Sequence, residues 1–244
     1  MQILTIANQK GGSGKTTTAA AIAQAGTFKG LKVLAIDLDP QANLTFALKA
    51  NARQQGSYEL LEGTPARQLI QTTQQGIDVI AAGKNLIAAR TSTGSAKRLQ
   101  KALQQARNIY DLIIIDTAPT AGELQYNALQ ASTGLIIPLA ADTFHLQGLY
   151  QITETASQFH NSNPELKIKG YILTRYDGRS NLSQTMKQKI KEQAASLGIP
   201  LIGIIRESVA IKEAIALQRS LYEYSPKSKP AEDYLQAFNK IMEE

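Results

Sequence analysis

The chain contains no cysteine and only two histidines. Without thiols it has neither a disulfide framework nor a thiolate metal site or nucleophile, which suits a reducing compartment. His145 and His160 have no matching metal-ligand partner, and neither is assigned a role. No run approaches the roughly 18 consecutive apolar residues of a membrane span, and MQILTIANQK opens without the n-region and h-region of a secretory signal. Repeats, low-complexity tracts and a convincing interdomain linker are missing as well. These absences lead to the expectation of a cytoplasmic protein that is neither exported nor membrane-spanning, its residues 1–244 forming a single domain.

What is present is enough apolar material, 43% of 244 residues, to bury a full core. Runs rich in β-formers fall at 3–7, 32–37, 77–81, 111–116, 134–140, 168–174 and 199–205. Several are apolar at every position, as parallel strands covered on both faces require. Amphipathic spacing predicts helices over 16–29, 96–107, 145–160, 182–196, 208–217 and 231–242. The alternation predicts an α/β fold: a doubly wound, mostly parallel sheet with helices on both faces. In the last helix Tyr234, Leu235, Phe238, Ile241 and Met242 form one apolar stripe, expected to dock on the body. With a first strand starting almost at Met1, an N-terminal helix-turn-helix domain is not expected.

The net charge is +6. Between Pro164 and Pro230 there are 12 Lys/Arg against 6 Asp/Glu, an excess equal to that of the whole chain. The basic character is therefore regional, suggesting either a polyanion surface or a solvated lysine-rich face.

ILTIA, NQKGGSGK and TTTAAAIAQA follow one another as strand, glycine-rich turn and helix start. That order makes a phosphate cradle: Gly11, Gly12, Ser13 and Gly14 bring the backbone close to anionic oxygens, and the helix N-terminus supplies N–H groups. Lys15 should reach the β- and γ-phosphates, Thr16 should sit on Mg²⁺, and Thr17 is placed for the α-phosphate. Gln9 stands where the ordinary G-x-x-x-x-G-K-[ST] pattern has its first glycine, and Lys10 follows it. Two further strands end in aspartate, at IDLDP (36–40) and IIIDT (113–117), facing the crevice where open parallel sheets bind ligands. Asp116 fits a Mg²⁺-holding role. Of Asp37 and Asp39, one could orient the metal shell while the other handles the attacking water.

KGGSGKTT resembles the deviant Walker A box of the ParA/MinD family of ATPases, and the resemblance extends over almost the whole chain. It implies a deviant P-loop NTPase fold, ATP and Mg²⁺ as ligands, and slow hydrolysis until a partner aligns the switch. It also implies that Lys10, the signature lysine, contacts the nucleotide of a partner subunit, giving an ATP-dependent homodimer. DLDPQ and DTAP resemble the family's switch I and switch II, with Asp39 matching the residue that activates water. TRYDGRSNLS (174–183) and the segment 208–235 resemble the Soj-like ParA branch, whose arginines near these segments contact DNA without reading its sequence. Arg179 matches one such position; at the other stands Ala210, between Arg206 and Lys212. The expected DNA surface comprises Arg179, Lys187, Lys189, Arg206, Lys212 and Arg219. Arg175 and Arg206, at the ends of late strands, could flank the adenine.

The function this implies is a nucleoid-associated partition ATPase, segregating plasmid or chromosome cargo through a ParB-like centromere-binding adaptor. Positioning of a protein cargo such as a carboxysome, by the same machinery, is the near alternative. A MinD-like membrane regulator is disfavoured because the C-terminal tail is acidic rather than basic, so no stable membrane association is expected. A small-molecule P-loop enzyme of the dethiobiotin synthetase type is disfavoured by Lys10 and DLDPQ.

Overall fold

The computed structural model describes the chain except residues 53–54, 91–94, 105, 143–144 and 244. Eight strands form one sheet: β1 (Gln2–Ile6), β2 (Val33–Leu38), β3 (Gln71–Thr72), β4 (Asp78–Ile80), β5 (Leu112–Thr117), β6 (Gly134–Ala140), β7 (Lys167–Tyr176) and β8 (Leu201–Arg206). Their order across the sheet is β3-β4-β2-β5-β1-β6-β7-β8. All neighbours run parallel except the short β3, which is antiparallel to β4. The strand order reverses at β1, so the crevice for a ligand opens beyond its carboxyl end.

The helices are α1 (Lys15–Phe28), α2 (Asn43–Ala47), α3 (Ser57–Leu61), α4 (Ala66–Leu69), α5 (Arg98–Ala102), α6 (Glu123–Ala131), α7 (His145–Ser157), α8 (Asn181–Ser196), α9 (Val209–Ala216), α10 (Leu221–Tyr224) and α11 (Lys229–Glu243). Successive strand side chains point to opposite faces, which divides the core in two layers. Leu4, Ile6, Val33, Ala35, Ile114 and Ile172 pack under α1, α2 and α9 to α11. Ile3, Leu34, Ile36, Ile113 and Ile115 face α3 to α6, and Leu135, Ile137 and Leu173 continue that layer under α7 and α8.

Close approach explains the small residues of α1. A Cβ at Gly26 would stand 2.9 Å from Val33 Cγ2 and 3.0 Å from Leu112 Cδ2. The C-terminal stripe docks as expected, with Tyr234, Phe238 and Ile241 buried and Leu235 and Met242 half-buried against the same core.

Several elements depart from the sequence expectation: the short α2, α3, α4, α10 and β3, too brief to show a period, were not expected, and two larger differences concern α5 and α6. The helix expected over 96–107 is confined to α5, with a separate 3₁₀ turn over Ala106–Asn108. Helix α6 was not expected, because its inner face carries amides: Gln125, Asn127 and Gln130 are buried. Asn127 Oδ1 accepts from the Leu99 amide at 3.1 Å, and Gln130 Nε2 donates to the Ser162 carbonyl at 2.8 Å. Such paired amides can be buried at little cost and leave no apolar stripe to read. Among the described residues no helix is long and apolar enough to cross a membrane.

Gly26→Ala is expected to destabilise the fold by about 1–3 kcal/mol through overpacking between α1 and the sheet. The urea midpoint of unfolding measures this.

Candidate nucleotide site

Between β1 and α1 the backbone turns through Gly12 (φ +75°) and Gly14 (φ +83°), left-handed conformations that disfavour a side chain. No side chain caps α1, so its first-turn amides remain directed at the crevice. The Lys15 amine, largely buried, donates to the Lys10 carbonyl at 3.1 Å, closing the loop on itself. Burial lowers its pKa, against the opposing pull of Asp116 and Asp39. The Lys10 ammonium, by contrast, has no hydrogen bond or ion pair among the described residues.

Three side chains whose partners the sequence does not reveal fix this loop. Asn8, fully buried, donates from Nδ2 to the Pro138 carbonyl at 2.7 Å and accepts from the Lys10 amide at 2.9 Å. Gln9 Nε2 donates to Thr155 Oγ1 on α7 at 2.7 Å, which accounts for a long side chain at the usual glycine position. Thr174 Oγ1, from β7, donates to the Ser13 carbonyl at 2.9 Å. No pattern in the sequence marks them, since their partners lie more than a hundred residues away.

The carboxylates converge as expected. β2 and β5 pair with Asp37 opposite Asp116, and Ile6 of β1 is opposite Asp116 from the other side. Asp37 and Asp116 are completely buried and Asp39 nearly so. Asp37 accepts from the Asp39 amide at 3.0 Å and from the Thr45 amide and hydroxyl at 2.8 and 2.7 Å. These bonds tie Asp37 to the segment that follows β2. Burial pushes its pKa up to about 6 against those donors. Asp116 is raised well above the ordinary carboxylate value by burial and then by Asp37, while the Thr16 hydroxyl and Lys15 oppose the shift. Asp39 Oδ1 accepts only the nearby Gln41 amide.

Asp116 Oδ2 and Ser13 Oγ, both in this crevice, are among the buried side-chain atoms without a hydrogen-bond partner among the described residues. A buried carboxylate oxygen with no donor, beside a hydroxyl and crowded by two further carboxylates, fits a divalent cation. Thr16, Asp116 and Asp39 would hold Mg²⁺, and the loop amides with Lys15 would hold phosphate.

Next to the loop is a cleft of about 120 Å³ lined by Gly14, Thr17, Thr174, Arg175, Ile205, Ile211 and Tyr234, among others. Its position and apolar walls suit a nucleobase. Arg175, expected there, does border it and pairs with Glu207 at 3.4 Å. Arg206 also lines the cleft, while its Nε and NH2 donate to both oxygens of Asp233, at 2.9 and 2.6 Å. That fork braces β8 to α11, so Arg206 borders the cleft as a paired cation.

The remaining basic residues do not form one patch on a single layer. Lys187 and Lys189 lie on α8, while Lys212 and Arg219 lie on α9 and the turn before α10, across the sheet. Arg179, Lys212 and Arg219 are exposed and pair with Asp177, Glu207 and Glu223 at 3.1, 2.8 and 2.7 Å. Lys187 lies over the Tyr176 ring at 5.2 Å.

Because the raised pKa of Asp116 makes its ionised form costly, its unfavourable contribution is present above that folded pKa and disappears as pH falls below the unfolded value near 4. Asp116→Asn should therefore raise the Tm of the nucleotide-free protein by about 2–4 °C at pH 8, a gain that shrinks below pH 5. Calorimetry across that range checks the sign, and the same variant should lose ATP turnover.

A family model described as an AAA domain matches residues 1–168. Over 98% of its length the chain is 32% identical to the chromosome-partitioning ATPase Soj of Thermus thermophilus, covering 94% of that protein. Over 96% it is 34% identical to the sporulation initiation inhibitor protein Soj of Bacillus subtilis, covering 95%. Among solved structures it is similar to cobyrinic acid a,c-diamide synthase from Mycobacterium smegmatis with bound ATP analog and magnesium, with a TM-score of 0.81 and 30% identity over 98% of this chain and 93% of that one. Full-length likeness to two Soj proteins, joined to a phosphate loop with a second lysine and paired buried aspartates, places the chain in the ParA/MinD family of deviant Walker A ATPases, on its Soj-like branch.

Proposed function

We propose that this ATPase binds ATP with Mg²⁺, dimerises on it, and in that state binds DNA without sequence preference, so that cargo linked through a ParB-like adaptor is segregated over the nucleoid. The observation that carries this reading is the unequal state of two lysines on one loop. Lys15 is drawn inward onto the Lys10 carbonyl, whereas the Lys10 ammonium is left without a partner among the described residues. A cation so placed is free to meet the triphosphate of a second subunit. The names of the Soj relatives, one a chromosome-partitioning ATPase, support the cellular role.

In this scheme Lys15 and the α1 amides hold the β- and γ-phosphates, and Thr17 reaches the α-phosphate. Mg²⁺, when bound, offsets triphosphate charge that Lys15 alone cannot neutralise. Asp39 accepts a hydrogen bond from the attacking water and aligns it, the main demand of phosphoryl transfer. The cleft beside Thr17 and Ile211 takes the base. An adaptor that shifts the switch segment would accelerate the step by placing Asp39.

Arg179, Lys187, Lys189, Lys212 and Arg219 supply the DNA contacts. Exposed ion pairs such as Arg179 with Asp177 contribute little to stability, so each cation can exchange its partner for a phosphate. Two protomers double the cations presented, which steepens salt dependence and makes affinity a consequence of nucleotide state.

Lys10→Ala should retain ATP binding and lose ATP-dependent dimerisation in light scattering; an unchanged dimer sinks the trans role. Random-sequence duplex should shift in a gel with ATP and not with ADP. Arg179→Ala should lower the salt slope by about two, one for each protomer of the dimer; equal binding in every nucleotide state rejects the switch. The likeness to a diamide synthase defines the competing class, and ATP turnover by purified protein with DNA and no small-molecule acceptor separates the two.

A further inference from the structure

Helix α2 directly follows the Asp39 segment and is bracketed by two non-glycine residues in left-handed conformation, Ala42 (φ +56°) and Lys49 (φ +58°). Such residues persist only where surrounding structure holds them. At its inner end α2 is held by Asp37 through Thr45, whose hydroxyl also accepts from the Ala82 amide at 3.0 Å. At its outer end the grip comes from three glutamines on three other elements.

Gln75, on the turn between β3 and β4, donates from Nε2 to the Ala47 carbonyl and to the Gln218 carbonyl, each at 3.1 Å. Gln218, just past α9, donates from Nε2 to the Phe46 carbonyl at 3.1 Å. Gln24, nearly buried on α1, donates to Gln75 Oε1 at 2.8 Å and accepts from the Leu221 amide at 3.1 Å. Gln218 is itself left-handed (φ +53°), a further strain accepted where it makes the contact. α9, which ends beside Gln218, carries Ile211 and Ile215 of the base cleft.

We infer that Gln75 and Gln218 are positioning residues for hydrolysis: they clamp the far end of α2, and so the Asp39 loop, to the helix that walls the base cleft. Without the clamp α2 keeps the core packing of Leu44, Ala47 and Leu48 and the bond from Lys49 Nζ to Gln74, but it loses its hydrogen-bonded tie to α9 and α1, and the Asp39 loop loses its fixed register with the base cleft. This rests on the proposed role of Asp39 in aligning water, and it adds that the filled base cleft and the water-aligning loop share one brace.

Gln218→Gly separates this role from general stability. Glycine relieves the left-handed strain, and the Phe46 carbonyl keeps its bond from the Lys49 amide at 3.0 Å, so no orphaned group is left behind. In the full-length protein with Mg²⁺ and ATP, the variant should show kcat lower by about fivefold, KM for ATP within about twofold, and an equal or higher Tm. Gln218→Asn, at ease in the same conformation but too short to reach Phe46, should behave alike, and Gln75→Ala added to either, which removes the remaining bond to the Ala47 carbonyl, should lower kcat further. Faster hydrogen exchange over 39–50 should accompany the loss. Turnover within twofold of the parent in both Gln218 variants overturns the inference, as does a joint fall of kcat and Tm. Failure of the underlying reading would look different: Asp39→Ala would then turn over ATP as fast as the parent.

Discussion

The site depends on carboxylates held where water cannot solvate them. Asp37 and Asp116 face each other across adjacent central strands, with Asp39 just beyond and the Lys15 amine as the nearby cation. Like charges at that spacing in a buried place are unfavourable unless a cation or proton joins them. The rest of the crevice follows from this imbalance. The loop folds its lysine inward, Thr45 and the Asp39 amide crowd Asp37, and one oxygen of Asp116 is left bare. A cation or proton shared among these carboxylates is therefore what the crevice is built to take.

Around that centre the molecule separates rigid from adjustable parts. The sheet, α1 and α11 are joined by close packing and by the Arg206–Asp233 fork, a charge-assisted pair of fixed geometry. The segment after β2 is anchored by Leu44, Ala47 and Leu48, while its polar ties are single hydrogen bonds and its ends are residues in left-handed conformation, the features of an element with alternatives. Cations on the outer helices are paired with exposed carboxylates and so remain available.

Most of the architecture could be read from residue patterns because the strands are apolar on both faces and the loop between β1 and α1 has an unmistakable spacing. The aspartates were legible for the same reason, each ending a β-rich run. What escaped was polar and nonlocal. α6 hides its inner face behind amides such as Asn127, whose partner Leu99 lies on another helix. Asn8, Gln9 and Thr174 shape the loop through backbone and hydroxyl partners that only folding brings near. Arg206 looked like a free cation at a strand end, and only tertiary contact reveals Asp233 beside it. Charge could be counted along the chain, but its division between two layers could not.

One small residue on α7 carries a last implication. A Cβ at Gly148 would come within 2.6 Å of Asn8 Oδ1 and 3.0 Å of Lys10 Cγ, so helix and loop meet there with nothing to spare. The stem of Lys10 thus lies against bare backbone of α7, so a rigid-body tilt of that helix would push or release it. A protein that gripped the outer side of that helix, Tyr150 for instance, would have a mechanical lever on the lysine without entering the crevice at all.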